Sequence, residues 1–289
     1  EVTVYGIMLL SGIYVENEYT FCNNVRLVNE RGIPNKKLTM DIYHNLMNSI
    51  LPLPRIQSVF LLPFTQKVHH IKQDNIDKEN YFTNMPIESL EETKLCLILA
   101  RNLSGVHSIS HGTMSPDNLP YIQSFSGWSL SSTKLPTFSQ SVLEIELNHA
   151  NLLLKKYIGI DPIFKNKLKV SIETFNSYCS LSTQVERAIS LRTCLESIFL
   201  DDGNKEQLRY RLGLRGALFL GNSLEEKKNI MKILKDTYDI TSSAVHEGKI
   251  SDKQMKKINV LNESAKLAKE VIIKLINEGK INWEDLELK

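Results

Sequence analysis

An α+β fold is predicted for this chain: a strand-rich N-terminal domain followed by an all-α, up-and-down helical bundle. Three observations predict it. The opening text, EVTVYGIMLLSGIYV and then EYTFCNNVRLV, is dense in Val, Ile, Tyr and Phe and punctuated by Gly and Asn. That is the composition of strands joined by turns. Beyond Pro136 apolar residues recur at helical spacing nearly to the end. Between the two lies a Ser/Pro/Gly-rich stretch over 104–138 (SGVHSIS, SPDNLP, SFSGWSLSSTKLP), read as loop and as the boundary. The predicted domains are residues 1–135 and 136–289.

The elements follow in order. MDIYHNLMNSI (40–50) fits one short helix, and RIQSVFLLPF (55–64) a further strand with Pro63 near its end. DNIDKEN (74–80) is a polar loop. SLEE places Ser89 and Glu92 as a capping box ahead of TKLCLILARNL, because that pair can satisfy amides left open at a helix start. Five long helices are then expected, over 139–159, 164–180, 181–200, 205–221 and 223–246. In the third, Val185, Ile189, Leu191, Leu195 and Ile198 are expected in register. DDGN (201–204) breaks the chain after it. Ser223 and Glu226 repeat the capping box, and Gly248 supplies a helix stop. A last helix is expected over 251–280, with Ser251 as its cap and Gly279 near its end.

Composition narrows the class. At 289 residues, 42% hydrophobic and 24% charged, the chain can bury a sizeable core without staples. Cys22, Cys96, Cys179 and Cys194 form no CxxC pair, so free thiols in a reducing, cytoplasmic compartment are expected. Apolar runs such as SVFLLPF are too short to span a bilayer, and no membrane partner is expected. No secretory leader opens the chain, whose first residue is Glu1 rather than Met, as a trimmed or partial product would have. Residues 1–150 hold 11 basic and 14 acidic side chains; residues 151–289 hold 24 and 19. A basic C-terminal half suits phosphate-rich partners, although Lys-rich helix faces are also simply solvated.

Chemistry-bearing residues concentrate in YDITSSAVHEG (238–248). Asp239, Ser242 and His246 fall at i, i+3 and i+7 and share one helix face, with Tyr238, Thr241 and Val245 on the neighbouring stripe. A carboxylate, a hydroxyl and an imidazole on one face can orient a proton-transfer group. A histidine in a last helical turn also interacts well with the helix dipole, which needs no catalysis. His107 and His111 are four apart, and His69-His70 could add zinc ligands, but SGVHSISHG reads as loop or strand and carries no carboxylate or cysteine at useful spacing. No GxxxxGK[ST] loop, GxGxxG or GxSxG elbow is present, so no cofactor is expected and no metal. Trp128 reads as a recognition aromatic or a buried anchor.

Three successive stretches, VERAISLRTCLESIFL, EQLRYRLGLRGALFLG and ILKDTYDITSSAVHEGKI, resemble the HEPN domain family, most closely its Apea-like branch. The matching features are the Leu195-Glu196 element, a helix with spaced arginines, and a Tyr-Asp run closing on Val-His and a Gly. The resemblance spans about 164–280, roughly 40% of the chain. It implies a dimerising helical bundle and a metal-independent endoribonuclease, in a bacterial toxin or anti-phage defence role. In that chemistry the ribose 2′-hydroxyl attacks the adjacent phosphate. A histidine moves the proton, and an arginine a few residues earlier stabilises charge on the phosphate.

Placed on this motif, His246 matches the histidine, and the arginine slot holds Thr241. Threonine is short and neutral and cannot make the bidentate phosphate contact. Three explanations stand open: a degenerate non-cleaving member, another arginine in its place, or an engineered inactivating change. Arg209, Arg211 and Arg215 are the candidate substitutes and RNA-binding residues. Ion pairing with Glu196 or Glu206 is their ordinary alternative. The expected partners are RNA, a second copy of the chain, and a trigger ligand or protein at a regulatory N-terminal domain. The competing expectation is a non-catalytic module for dimerisation, partner binding or RNA binding; a small-molecule sensor is a third.

Overall fold

The structure, a computed structural model, describes residues 2–34, 57–66, 86–114, 139–200 and 207–288. The expected helix over 40–50, the loop over 74–80 and the break over 201–204 lie outside these, as do His69, His70, Trp128 and Glu206. The fold is α+β, with a helical C-terminal part. It divides into two compact units, Glu1–Leu97 with Val106–Asn151 and Ile98–Gly105 with Leu152–Lys289.

Seven strands are described: β1 Val2–Ser11, β2 Ile13–Tyr14, β3 Tyr19–Thr20, β4 Arg26–Asn29, β5 Ser58–Gln66, β6 His107–Met114 and β7 Gln140–Ser141. Five form a sheet in the order β3-β4-β5-β1-β6, and β2 pairs in parallel with β7. β1 sits inside the sheet. Its residues Ile7 to Leu10 are all buried, so the run lacks the alternation of a half-exposed strand. It pairs antiparallel with β5 from Val2↔Gln66 to Leu10↔Ser58. Pro63 lies beyond the last β4 pairing among the described residues, Arg26↔Leu61, near the end of β5, where a missing N–H is best tolerated. β6 corrects the expectation of loop over the whole of 104–138. Val106 and Ile109 supply buried apolar anchors, and β6 pairs with β1 despite its serines and histidines.

Among the described residues the helices are α1 Ile87–Ala100, α2 Glu144–Tyr157, α3 Pro162–Ser180, α4 Gln184–Phe199, α5 Leu208–Leu220, α6 Leu224–Glu247, α7 Asp252–Met255, α8 Val260–Glu278 and α9 Trp283–Glu287. α1 starts directly after Pro86, so Ser89 lies inside the first turn and is not a cap, contrary to the capping-box reading. α2 begins later than expected because Gln140 and Ser141 are taken by β7.

In the helical unit the caps are local and strong. The Asp161 carboxylate accepts from the amides of Ile163 and Phe164 at 3.0 and 3.1 Å, and Thr183 caps α4. Short connections set α3 beside α4 and α5 beside α6, and α8 packs on all four. Its buried stripe is Leu261, Ala265, Ala268, Ile272 and Leu275. In α4 the buried face runs through Ala188, Leu191, Leu195 and Ile198, while Ile189 is exposed and Val185 only half-buried. The expected single helix over 251–280 is two. Ser251 and Gln254 form a capping box for the one-turn α7, and the chain turns before α8.

Candidate functional site

The site is built where α5 crosses α6. Gly213 and Gly216 let the two helices approach closely. A methyl group on Gly213 would stand 3.2 Å from the side chains of Met231 and Lys235, and one on Gly216 would overlap Leu234. This approach brings the first turn of α5 against the middle of α6. The Arg209 guanidinium donates from Nε to Asp239 Oδ1 at 2.6 Å and from Nη2 to Oδ2 at 2.8 Å. Both side chains are nearly half exposed, so the fork adds little stability. What it does is fix orientation: the hydrogens of Nη1 remain for another acceptor. The same hydrogen bond raises the proton affinity of Arg209 above the ordinary arginine value.

Aromatic rings line the same place. Lys235 Nζ lies 5.0 Å from the ring centroid of Tyr210, a residue that is 47% exposed. Tyr238 is half-buried, with the Arg192 guanidinium 4.6 Å over its ring. Arg192 also donates to Tyr238 Oη at 3.2 Å and to Glu196 Oε1 at 2.8 Å. Gln207, Leu208, Arg209, Tyr210, Lys235 and Tyr238 border an open groove.

α6 itself runs from a complete Ser223–Glu226 capping box to Gly248, which adopts the left-handed conformation (φ 65°) that a helix stop uses. As expected, Asp239, Ser242 and His246 share a face. Asp239 and His246 are exposed and Ser242 is half-buried. The face extends further than the expectation: Lys228, Lys232 and Lys235 continue it toward the N-terminus at spacings of four and three residues. Gln254 of α7 folds back on the end of α6, donating to Ser243 Oγ at 2.8 Å and to the Asp239 carbonyl at 3.1 Å.

Thr241 does not join this face. It is 1% exposed, and its hydroxyl donates to the Tyr238 carbonyl at 3.1 Å. The arginines separate as well. Arg215 is fully buried and bonds the Phe199 carbonyl and the Glu287 carboxylate, so it cannot reach an RNA phosphate, contrary to its expected role. Arg211 lies 3.8 Å from Glu287. Neither pairs with Glu196, which is held by Arg192. Of the three candidates, Arg209 alone lies exposed beside the Asp239 face.

The residues missed by sequence reasoning are Tyr210, Lys228, Lys232, Lys235 and Glu287. The lysine spacing was the available signal for three of them. In the strand-rich unit, His107 is buried and its imidazole pKa falls to about 4, by desolvation first and by the Lys94 charge second. Lys94 Nζ contacts Glu91 at 2.6 Å and Ser108 Oγ at 3.4 Å. Among the described residues no group of three or more His, Cys, Asp or Glu could hold a metal ion; His69 and His70, the further ligands weighed for zinc beside His107 and His111, lie outside those residues.

Comparison of the chain with protein-family models, with curated proteins and with solved structures gives no significant match.

Proposed function

We propose that the helical unit is a HEPN-type module that binds RNA as part of a homodimer, without arginine-assisted cleavage. One observation carries this reading: the motif position that should present an arginine holds Thr241, and that position faces the interior of the bundle. Stabilising the charge that develops on a transferred phosphate needs a donor aimed at it. A buried threonine hydroxyl bonded to its own helix supplies none. The lysine stripe, with Lys228 and Lys232 exposed and Lys235 half-buried, and the exposed Arg209 supply the cationic surface that backbone phosphates require. In this reading the strand-rich unit receives the trigger, a ligand or protein of a defence or toxin system.

A second reading keeps catalysis and is favoured by His246, which is exposed at the end of α6. His246 would accept the proton of the attacking 2′-hydroxyl. Asp239, and with it the Arg209 fork, lies two helical turns away, about 10 Å along the axis. Cleavage would therefore bring the His246 of one copy to an arginine of another.

The test incubates end-labelled single-stranded RNAs with the purified chain in EDTA. The expected result is retarded but intact RNA, unchanged in length by the wild type or by His246→Ala. Fragments ending in a cyclic phosphate that disappear in His246→Ala would overturn the non-cleaving reading in favour of the second. Absence of any retardation would overturn RNA binding itself.

A further inference from the structure

We propose that the groove between α5 and α6 is a single-stranded RNA track, in which Tyr210 stacks a nucleobase while Arg209, Lys235, Lys232 and Lys228 hold successive phosphates. The inference rests on the RNA reading above and says where and how the strand lies.

Four features of the helical unit converge on it. The first is the ring of Tyr210, nearly half exposed at the mouth of an open groove. One face of that ring meets the Lys235 ammonium, and the residue's exposure offers the rest of the ring as a platform for a planar partner. Unstacked bases are held in this way, irrespective of sequence, because every base has a π-face.

The second is Arg209. An unrestrained surface arginine samples many rotamers, but the side-on fork to Asp239 fixes this one and turns Nη1 away from the carboxylate. Asp239 then acts as a positioning residue for a phosphate donor. The third is the lysine stripe. Lys228 and Lys232, exposed, and Lys235, half-buried, stand on α6 in line with Asp239, Ser242 and His246. From Lys228 to His246 the line is about 27 Å long, enough to follow several nucleotides of backbone. The fourth is the back wall. Tyr238, which borders the groove, is held there by the Arg192 guanidinium, 4.6 Å over its ring.

Duplex RNA fits this arrangement poorly. Its bases are stacked on one another and offer no free face to a single tyrosine. The groove therefore selects single strands, and the direction of the lysine line leads the strand to His246.

The experiment measures fluorescence anisotropy of a labelled mixed-sequence single-stranded RNA, and of the same strand annealed to its complement, with the full chain. The variants are Tyr210→Ala, Tyr210→Phe and the triple change Lys228→Ala, Lys232→Ala, Lys235→Ala, each checked for an unchanged circular dichroism melt. Tyr210→Ala is expected to weaken single-strand binding roughly tenfold, with Tyr210→Phe near wild type, because stacking needs the ring and not the hydroxyl. The triple variant is expected to lower the slope of log affinity against log salt by about 2. Duplex is expected to bind more weakly than single strand. Equal affinity of wild type and Tyr210→Ala, or an unchanged salt slope in the triple variant, would overturn the track while leaving RNA binding intact. No binding of either RNA by the wild type would overturn the RNA reading and the track with it.

Discussion

Arg215 and Glu287, 72 residues apart in sequence, form a part-buried ion pair that ties the last helix to the bundle. Arg215 is fully buried, and its guanidinium also bonds the Phe199 carbonyl. Trp283, on the same terminal helix, packs between Phe199 and Phe219 at centroid distances of 5.3 and 5.5 Å. The C-terminal segment is therefore structural. Glu287→Ala is expected to cost about 1–3 kcal/mol, because it removes the carboxylate that a fully buried guanidinium bonds. Glu287→Gln should cost less, since an acceptor remains. Trp283→Ala should cost about 3–5 kcal/mol through the cavity it opens. Urea melts followed by circular dichroism measure these losses, and shifts below about 0.5 kcal/mol for both residues would contradict the assignment.

Thr241 predicts what happens when the motif arginine is put back. Its side chain is enclosed, so Thr241→Arg must either bury an ionised guanidinium or push the helix outward. The variant is expected to lose several kcal/mol or to fail to fold, whereas Thr241→Ser, which keeps the hydroxyl bonded to the Tyr238 carbonyl, should lose about 1 kcal/mol. Thermal melts of both variants decide it. A Thr241→Arg protein as stable as wild type would mean that this position can open to the surface, and would reopen the cleavage reading.

The readable parts of the sequence were those set by neighbours in the chain. Ser223 with Glu226, and Gly248, needed nothing beyond their own helix, and each stands as expected. The same logic failed at Ser89, because Pro86 set the helix start first. The shared face of Asp239, Ser242 and His246 followed from period alone. Which of the adjoining stripes turns inward did not, since the packing of other helices against α6 decides it, and Thr241 went to the interior. The lysine line was visible in spacing, but solvated helix faces look the same. Trp283–Glu287 carried too few residues to show a period, and its partners Arg215, Phe199 and Phe219 are distant in sequence.

His107 makes the strand-rich unit sensitive to acid. Its folded pKa, about 4, lies below the unfolded value of about 6.5. Between these values the unfolded chain binds the extra proton, so stability is complete above about pH 6.5 and falls as the pH drops toward 4. The loss amounts to about 3 kcal/mol for this group. Urea midpoints measured from pH 7.5 to 4.5 should decline through this window in the wild type and decline less in His107→Gln. Identical slopes in the two proteins would show that other groups dominate.

Gly216 connects the packing of the bundle to the groove. Alanine is the better helix former, by about 1 kcal/mol, so on propensity alone Gly216→Ala should stabilise α5. The added methyl, however, would overlap the Leu234 side chain and stand 3.4 Å from the Phe199 ring. α5 must then lift from α6, at a cost of about 1–3 kcal/mol for overpacking. The clash outweighs the propensity gain, and net destabilisation of about 1 kcal/mol is expected. The displacement has a second consequence. Arg209 and Tyr210 lie on α5, while Asp239 and Lys235 lie on α6, so a lifted helix loosens the fork and moves the ring from its ammonium. Gly216→Ala should therefore weaken single-stranded RNA binding as well as stability, although it sits outside the groove. Gly213→Ala should behave more mildly, because its closest neighbours, the Cγ atoms of Met231 and Lys235 at 3.2 Å and the Met231 carbonyl at 3.3 Å, make a tight contact rather than an overlap. Melts and anisotropy on the two variants separate these outcomes: a Gly216→Ala protein more stable than wild type would mean that the close approach of α5 to α6 is not what positions the groove.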